Sequence, residues 1–468
     1  MITMHPCVAL SLLLTTPVAG LEDPAAITAE ELSELVHHLA SDGLAGRRLG
    51  TPELEEAGRY LAAALEAAGL EPGGDDGTFL QRVPFIEETY TAQPVLELEG
   101  AALAYGADFR LRAAGESARL RLVTVDDQSW PEPDRTLALV LPEDSMREAR
   151  ERLEEQGVPG AEGYGAVVTF LRRPGRPTDG VPRGRGPRLD AGGAPPATWL
   201  EVSPEHREAL LSAEHLTLEL NLERRRFDAH NVIGRLPARE GSPLAEQALV
   251  VSAHYDHIGR LDPERAVEPP PGEEPDLIRN GADDDASGVA TVVEIAEALA
   301  AAGPCEREVV FLLATAEELG ILGTRHYVAA PVVPLERTVA NLNFEMVGRP
   351  DPKAGGAGKL WLSGAERTNL LEGFVEHGLA IVADPYPEQN FFQRSDNIVF
   401  VDEGIVGQTL STYPLHKDYH QVTDEADRLD YEHMQGCAEA GLAAVRLVAS
   451  GELTPSWLEG GRPEPRRR

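Results

Sequence analysis

Three carboxylates in a row, Asp283, Asp284 and Asp285, stand just before the apolar run VATVVEIAEALAAAG. One Asp is enough to cap a helix, because its carboxylate accepts the orphan N–H bonds at the positive end. Three adjacent anions exceed that need and raise one another's pKa, so a bound cation is the economical explanation. Other clusters supply donors of the metal-binding kind. SAHYDHIG carries His254, Asp256 and His257 after a strand-like run, and Asp256 can accept the second N–H of a His254 imidazole, as outer partners of metal-bound histidines do. ATAEELGILGT carries Glu317 and Glu318, which are expected to begin a helix, with one binding a metal while its neighbour stays free as a base. NLNFEMVGR adds Glu345 and KDYHQVTDEAD adds His420. The resulting order His, Asp, Glu, Glu, His is a mixed nitrogen and oxygen set that suits zinc. A pair of such ions needs about this many ligands, one of them bridging.

These donors need a frame that brings them together. The runs QALVVSA (247–253), EVVFLLAT (308–315), TVANLNF (338–344) and GIVGQTLS (404–411) read as strands alternating with helices, which predicts an α/β layer structure with a mostly parallel sheet. Three of the four are followed at once, or after a single Ala, by His or Glu. In open α/β sheets the ligand crevice lies at the carboxyl ends of the strands, so the polar groups stand where chemistry is expected. The helix after the Asp triad shows Val289, Val292, Val293, Ala296 and Leu299 on one face and stops at Gly303-Pro304. Near the N-terminus, Thr28 and Glu31 have capping-box spacing before ELSELVHHLA, and a second helix, LEEAGRYLAAALEAAGL, ends at Gly69. Residues from about 95 to 230 differ in texture: short alternating strands, one helix (MREARERLEEQG) and a Pro-, Gly- and Arg-rich loop, the mark of an inserted β-rich domain.

With 468 residues the chain has room for two or three domains. Its formal charge of −36 argues against nucleic acid or anionic lipid as a partner, since both need a basic footprint. Cys7, Cys305 and Cys437 form no Cys-x-x-Cys pair, so neither a disulfide framework nor a thiolate metal site is indicated. The first residues, MITMHPCVALSLLLTTPVAGLEDP, have the short apolar core and small-residue stop of a secretory signal peptide over 1–20, which predicts an extracytoplasmic (periplasmic or secreted) protein. No apolar run long enough to span a membrane follows.

Taken in this order, the motifs resemble the M28 family of zinc metallopeptidases, mostly aminopeptidases. Further matches are LAGRRLGT near the N-terminus, Asn231-Val-Ile-Gly234, and RSDN (394–397) ahead of EGIVGQTLS. The resemblance covers most of residues 30 to 450. It implies a phosphorylase/hydrolase-like three-layer α/β/α peptidase domain formed by 21–95 and 231–455. It also implies a protease-associated-type insertion over 96–230, leaving 456–468 as a flexible tail. By the same resemblance two zinc ions are bound per chain: Asp284 bridges them, His254 and Glu345 complete one set, and Glu318 and His420 the other. Asp256 orients His254, and Glu317 is the general base and acid. The peptide bond after Asp284 is expected to be cis. The implied reaction is removal of the N-terminal residue from peptides with a free N-terminus.

Departures from the family pattern are specific. Glu345 stands where Asp is more frequent, and Asp283 where Asn is common. Around RSDN the chain reads Phe391-Phe392-Gln393-Arg394-Ser395-Asp396-Asn397, without the Tyr that in many members polarises the substrate carbonyl. Gln393 or Arg394 substitutes for it or is merely structural. Rival readings are a carboxypeptidase or dipeptidase of the same fold, using Arg394 or Arg349 for a carboxylate, a one-zinc glutaminyl cyclase, and a non-catalytic binding ectodomain. Ectodomains of this kind lose ligands, and all five are present here. A serine nucleophile is disfavoured because no Gly-x-Ser-x-Gly occurs.

Overall fold

A computed structural model describes residues 26–125, 130–143, 145–176, 178, 180–265 and 275–464. The expected signal peptide lies outside the described residues. The chain divides into two compact units, residues 1–81 with 230–468, and residues 82–229. The first division falls at 81/82, against the expected 95/96, because the chain leaves the first unit inside the continuous strand Leu80–Tyr90. The change of texture near 95 is where hairpin-like strands begin, not where the chain changes unit.

The first unit is α/β. Its strands are β1 (Leu222–Leu236, entering the unit at His230), β2 (Ala248–His254), β3 (Glu308–Ala314), β4 (Thr338–Glu345), β5 (Leu360–Leu362), β6 (Ile381–Ala383) and β7 (Val406–Ser411). They are ordered β6-β5-β7-β4-β2-β3-β1. The central pairs β3/β2, β2/β4 and β4/β7 are parallel, whereas β1 and β5 join them antiparallel. Every residue of β2 and β3 is buried, as continuous apolar runs require of strands covered on both faces. Ile233, Val250, Val310 and Leu312 pack against Tyr327 and Val328 of the helix Leu322–Ala329 and against Ile398 to Val401 of the helix Asn397–Asp402. The helix Gly288–Ala302 lies against β2, β4 and the helices Ala29–Leu39 and Tyr431–Ser450. Thr28 caps the first of these by accepting from Glu31 N at 3.2 Å.

Glu294 interrupts the otherwise apolar surface of Gly288–Ala302. It is 6% exposed, and burial, with Glu31 and Glu297 nearby, pushes its carboxyl up to about 8. A carboxyl whose folded-state pKa is raised imposes no penalty below its ordinary value of 4.5. The penalty grows as pH rises and is complete above about pH 8. Glu294→Gln is therefore expected to raise Tm by a few degrees above pH 8 and to leave it nearly unchanged near pH 4.5. Equal Tm shifts at both pH values, read by calorimetry, would remove the buried charge as the cause.

The expected tail is corrected in part. Trp457 donates from Nε1 to Gly404 O at 2.9 Å, Leu458 N donates to Arg367 O at 2.9 Å, and Trp457 pairs with Thr368. Trp457 packs on the core, so the segment around Trp457 and Leu458 is held to the first unit by an apolar anchor.

Residues 82–229 build an eight-stranded sheet. Its order is Ala101–Leu103, Val95–Leu98, His215–Glu219, Ala118–Thr124, Leu137–Val140, Ala166–Phe170, Thr198–Val202 and Phe109–Ala113. Phe109, Phe170, Leu200 and Leu218 centre one core, while Leu139, Leu153, Tyr164 and Trp199 centre another around the helix Met146–Glu155. Among the described residues no helix is long and apolar enough to cross a membrane.

Candidate metal centre

Parallel pairing sets the polar strand ends side by side: His254 is in register with Ala314, and Glu345 with Ser411. The Asp triad lies in an irregular turn, Ala282–Ser287, leading into Gly288–Ala302, and the Asp284–Asp285 peptide bond is cis. Its three carboxylates point to different tasks. Asp285 accepts from His254 N at 3.3 Å, Gly288 N at 3.0 Å and Met346 N at 2.9 Å, so it ties the ends of β2 and β4 to the helix start. Asp283 accepts from Gly348 N at 2.8 Å, and its other oxygen lies 2.8 Å from His416 Nε2 and 3.8 Å from Arg349 Nε. The variant position thus anchors an ion-pair network that continues from Arg349 to Asp418 at 2.8 Å and Asp424 at 3.3 Å. Asp424 in turn accepts from the main-chain N–H groups of Asp283 and Asp284, each at 3.1 Å to Oδ2.

Asp284 alone of the three lines the cavity. His254 Nε2 lies 3.3 Å from its Oδ1 and His420 Nε2 lies 3.1 Å from its Oδ2. His420 Nε2 is also 3.1 Å from Glu318 Oε2. Yet His254 Nε2, Asp284 Oδ2, Glu318 Oε1 and His420 Nε2 are buried atoms without a hydrogen-bond partner among the described residues. Orphaned lone pairs that converge in this way are costly unless a cation takes them. The set fits divalent zinc by donor type. Glu345 ends β4 and lines the same cavity.

The electrostatics follow from packing carboxylates around histidines. Burial opposes ionisation of Asp284, but His254, His420 and His257 hold it well below the usual range. Burial likewise works against charging His420, which Asp284 and Glu318 nonetheless raise to about 9. Burial pushes Glu345 up to about 7, and it drives Glu317 well above the ordinary carboxyl value, with Glu345, Asp396 and Glu318 adding to the effect.

Two expectations are corrected here. Glu317 and Glu318 do not begin a helix: they sit on a turn after β3, and the helix starts at Leu322. Ala316 and Ile321 take φ of 56° and 63°, while Gly323 N bonds Thr315 O and Leu322 N bonds Ala316 O, closing a loop that overrides the helical propensity of the stretch. Asp256 is 3.7 Å from His254 Nδ1 through Oδ1, beyond hydrogen-bonding distance, and its main-chain carbonyl is closer at 3.2 Å. The Asp256 carboxylate instead accepts from Glu317 N at 3.0 Å, linking the β2 and β3 ends.

Beside these groups lies a cavity of about 360 Å³ whose walls include Ile321, Met346, Trp361, Phe391, Tyr413 and Tyr419. The aromatic wall is continuous: Phe391 stacks on Trp361 at 5.3 Å, and Tyr419 stacks on His420 at 3.9 Å. Tyr413 and Tyr419 escaped the sequence reading, although the density of aromatic and His residues in STYPLHKDYH was a usable signal. Arg394 lines the cavity with its guanidinium 5.2 Å from the Phe391 ring, whereas Gln393 is exposed and does not line it.

Residues 231–445 match the model of peptidase family M28. Aminopeptidase YwaD of Bacillus subtilis is 26% identical over 55% of this chain and 53% of its own length, and the probable lipoprotein aminopeptidase LpqL of Mycobacterium tuberculosis is 28% identical over 50% and 48%. The chain spans about half the length of these curated relatives. Among solved structures, the aminopeptidase from Aneurinibacillus sp. strain AM-1 covers 91% of this chain and 95% of its own at 20% identity and a TM-score of 0.48. The match to peptidase family M28 thus falls on residues 231–445, which carry every residue of the centre described above.

Proposed function

We infer that this protein is a metal-dependent exopeptidase that hydrolyses the N-terminal peptide bond of peptides, using two zinc ions and Glu317 as the base. The observation that carries the reading is the convergence of orphaned, buried donor atoms on Asp284 beside a separate carboxyl, Glu317. Its similarity to aminopeptidases of Bacillus subtilis and Mycobacterium tuberculosis supports it. His254, Asp284 and Glu345 would hold one ion, and Asp284, Glu318 and His420 the other. When bound, the ions supply Lewis acidity toward a water and the scissile carbonyl. Glu317 takes the proton of the attacking water and delivers it to the departing amine. Asp256 holds the Glu317 main chain and, through its own carbonyl, the His254 ring. The acidic rim attracts an α-ammonium group, and the aromatic wall receives a bulky apolar first side chain.

The same reading takes the first unit as a three-layer α/β/α peptidase domain, residues 82–229 as a protease-associated-type insertion, and the setting as extracytoplasmic. One observation favours a second reading: Arg394 places a guanidinium on the cavity wall, where a carboxypeptidase or dipeptidase would bind a carboxylate. A panel of aminoacyl-p-nitroanilides, free peptides and N-acetylated peptides decides between them. Release of the first residue from free peptides and silence on blocked ones is expected. Turnover of N-acetylated peptides at their C-terminus would overturn the aminopeptidase in favour of the second reading.

A further inference from the structure

Two features singled out in the sequence have no part in the proposed chemistry so far: the segment LAGRRLGT and the second histidine of SAHYDHIG. They meet in the fold. Arg48 pairs with His257 as a parallel bridge, His257 N donates to Arg47 O at 3.1 Å, and Gly259 N donates to Gly46 O at 3.0 Å. Gly46 has a φ of 72°, and a Cβ there would lie 2.3 Å from Arg279 O, so this approach demands glycine. On another side Gly281, with a φ of 59°, leaves room for the imidazole: a Cβ there would lie 2.6 Å from His257 Cγ. The backbone on both sides is thus shaped around one fully buried ring.

That ring faces the carboxylates. His257 Nδ1 is 2.8 Å from Glu318 Oε1 and 3.8 Å from Asp284 Oδ2, while His420 Nε2 is 3.1 Å from each of the same two residues. Neither nitrogen of His257 has a hydrogen-bond partner among the described residues. A histidine buried for packing alone is expected to bond at least one ring nitrogen. Donor atoms about 2.1 Å from a tetrahedral ion stand roughly 3.4 Å apart, and the four separations straddle that value.

We propose that His257 is a further metal ligand on the Glu318 and His420 side. Resting on the two-metal reading above, it makes the two positions unequal. His257, Asp284, Glu318 and His420 enclose one ion with four protein donors, the pattern of a closed, tightly held site. His254, Asp284 and Glu345 offer three to the other and leave a position for water or substrate. LAGRRLGT and Gly281 then serve to frame a ligand.

X-ray absorption on the zinc-loaded wild-type protein counts the imidazoles directly. Three shared between two ions are expected, from His254, His257 and His420, and two between two ions would overturn the proposal while sparing the two-metal reading. A wild-type protein that binds no zinc would sink both. Zinc titration of apo His257→Ala and His257→Gln, after circular dichroism and Tm establish folding, adds a second readout. One of the two sites is expected to weaken by more than the 10- to 100-fold that follows loss of an outer hydrogen-bonding partner. Gln can still donate a hydrogen bond to Glu318 but is a poor substitute for an imidazole ligand. If Gln restored wild-type affinity, His257 would only orient Glu318 and the proposal would fail.

Discussion

Glu317→Gln is expected to lower kcat by about 10²- to 10⁴-fold while zinc content stays that of the wild-type protein. The amide keeps the size of the carboxyl, and the main-chain bond from Glu317 N to Asp256 at 3.0 Å does not involve the side chain, so the turn after β3 is retained. What is lost is the ability to accept and return a proton. Burial holds the wild-type carboxyl well above its ordinary pKa. Glu318→Gln is the informative partner, because Glu318 lies 2.8 Å from His257 and 3.1 Å from His420 and carries an orphaned oxygen. It should reduce metal content as well as turnover. Steady-state rates together with metal analysis of both variants separate the two roles, and a Glu317→Gln enzyme that kept wild-type kcat would remove Glu317 as the base.

The second large effect concerns stability. Arg47 is wholly buried, and its guanidinium donates to Tyr255 O at 2.7 Å, Asn280 O at 2.7 Å, Gly281 O at 2.9 Å and Leu39 O. One cation therefore joins the end of the first helix, the loop after β2 and the approach to the Asp triad. Burial lowers its pKa to about 10, opposed by Asp256, Asp284, Asp424 and Asp285, so it remains charged at neutral pH. Arg47→Met would strand four carbonyls and withdraw a positive charge from among those carboxylates. Breaking a buried network of this kind costs about 3–5 kcal/mol. For a domain of this size that is a fall in Tm of roughly 10 °C. Arg47→Lys keeps the charge but lacks the planar fork that reaches all four acceptors, so it should recover only part of the loss. Calorimetry on the metal-free proteins tests this, and a Met variant within about 2 °C of wild type would show that the fold does not depend on the Arg47 network.

Much of the centre was legible because its determinants are local. Continuous apolar runs ending in His254 and Glu345, or followed closely by Glu317 and Glu318, mark buried parallel strands whose carboxyl ends carry polar groups. The surplus of charge at Asp283 to Asp285 over the needs of a helix cap was equally plain. Other features were hidden because they depend on residues far apart in the chain. Nothing in LAGRRLGT announces that Arg47 bonds Asn280, 233 positions away, or that Asp424 holds the main chain of Asp283 and Asp284. The helix expected at Glu317 failed for a related reason: local propensity favoured it, but the bonds closing the loop from Thr315 to Gly323 outweighed it.

The amino-acid sequence by itself determined the chemistry on offer: the donor types, their order along the chain, the acidic balance and the strands that carry them. These follow from composition and hydrophobic period, which are properties of neighbouring residues. Only the tertiary structure decided which of the three adjacent carboxylates faces the cavity, that His257 joins Glu318, and that Tyr413 and Tyr419 wall the site. Such choices are made by distances between segments tens to more than a hundred residues apart, and those distances exist only once the sheet has set its strand ends in register.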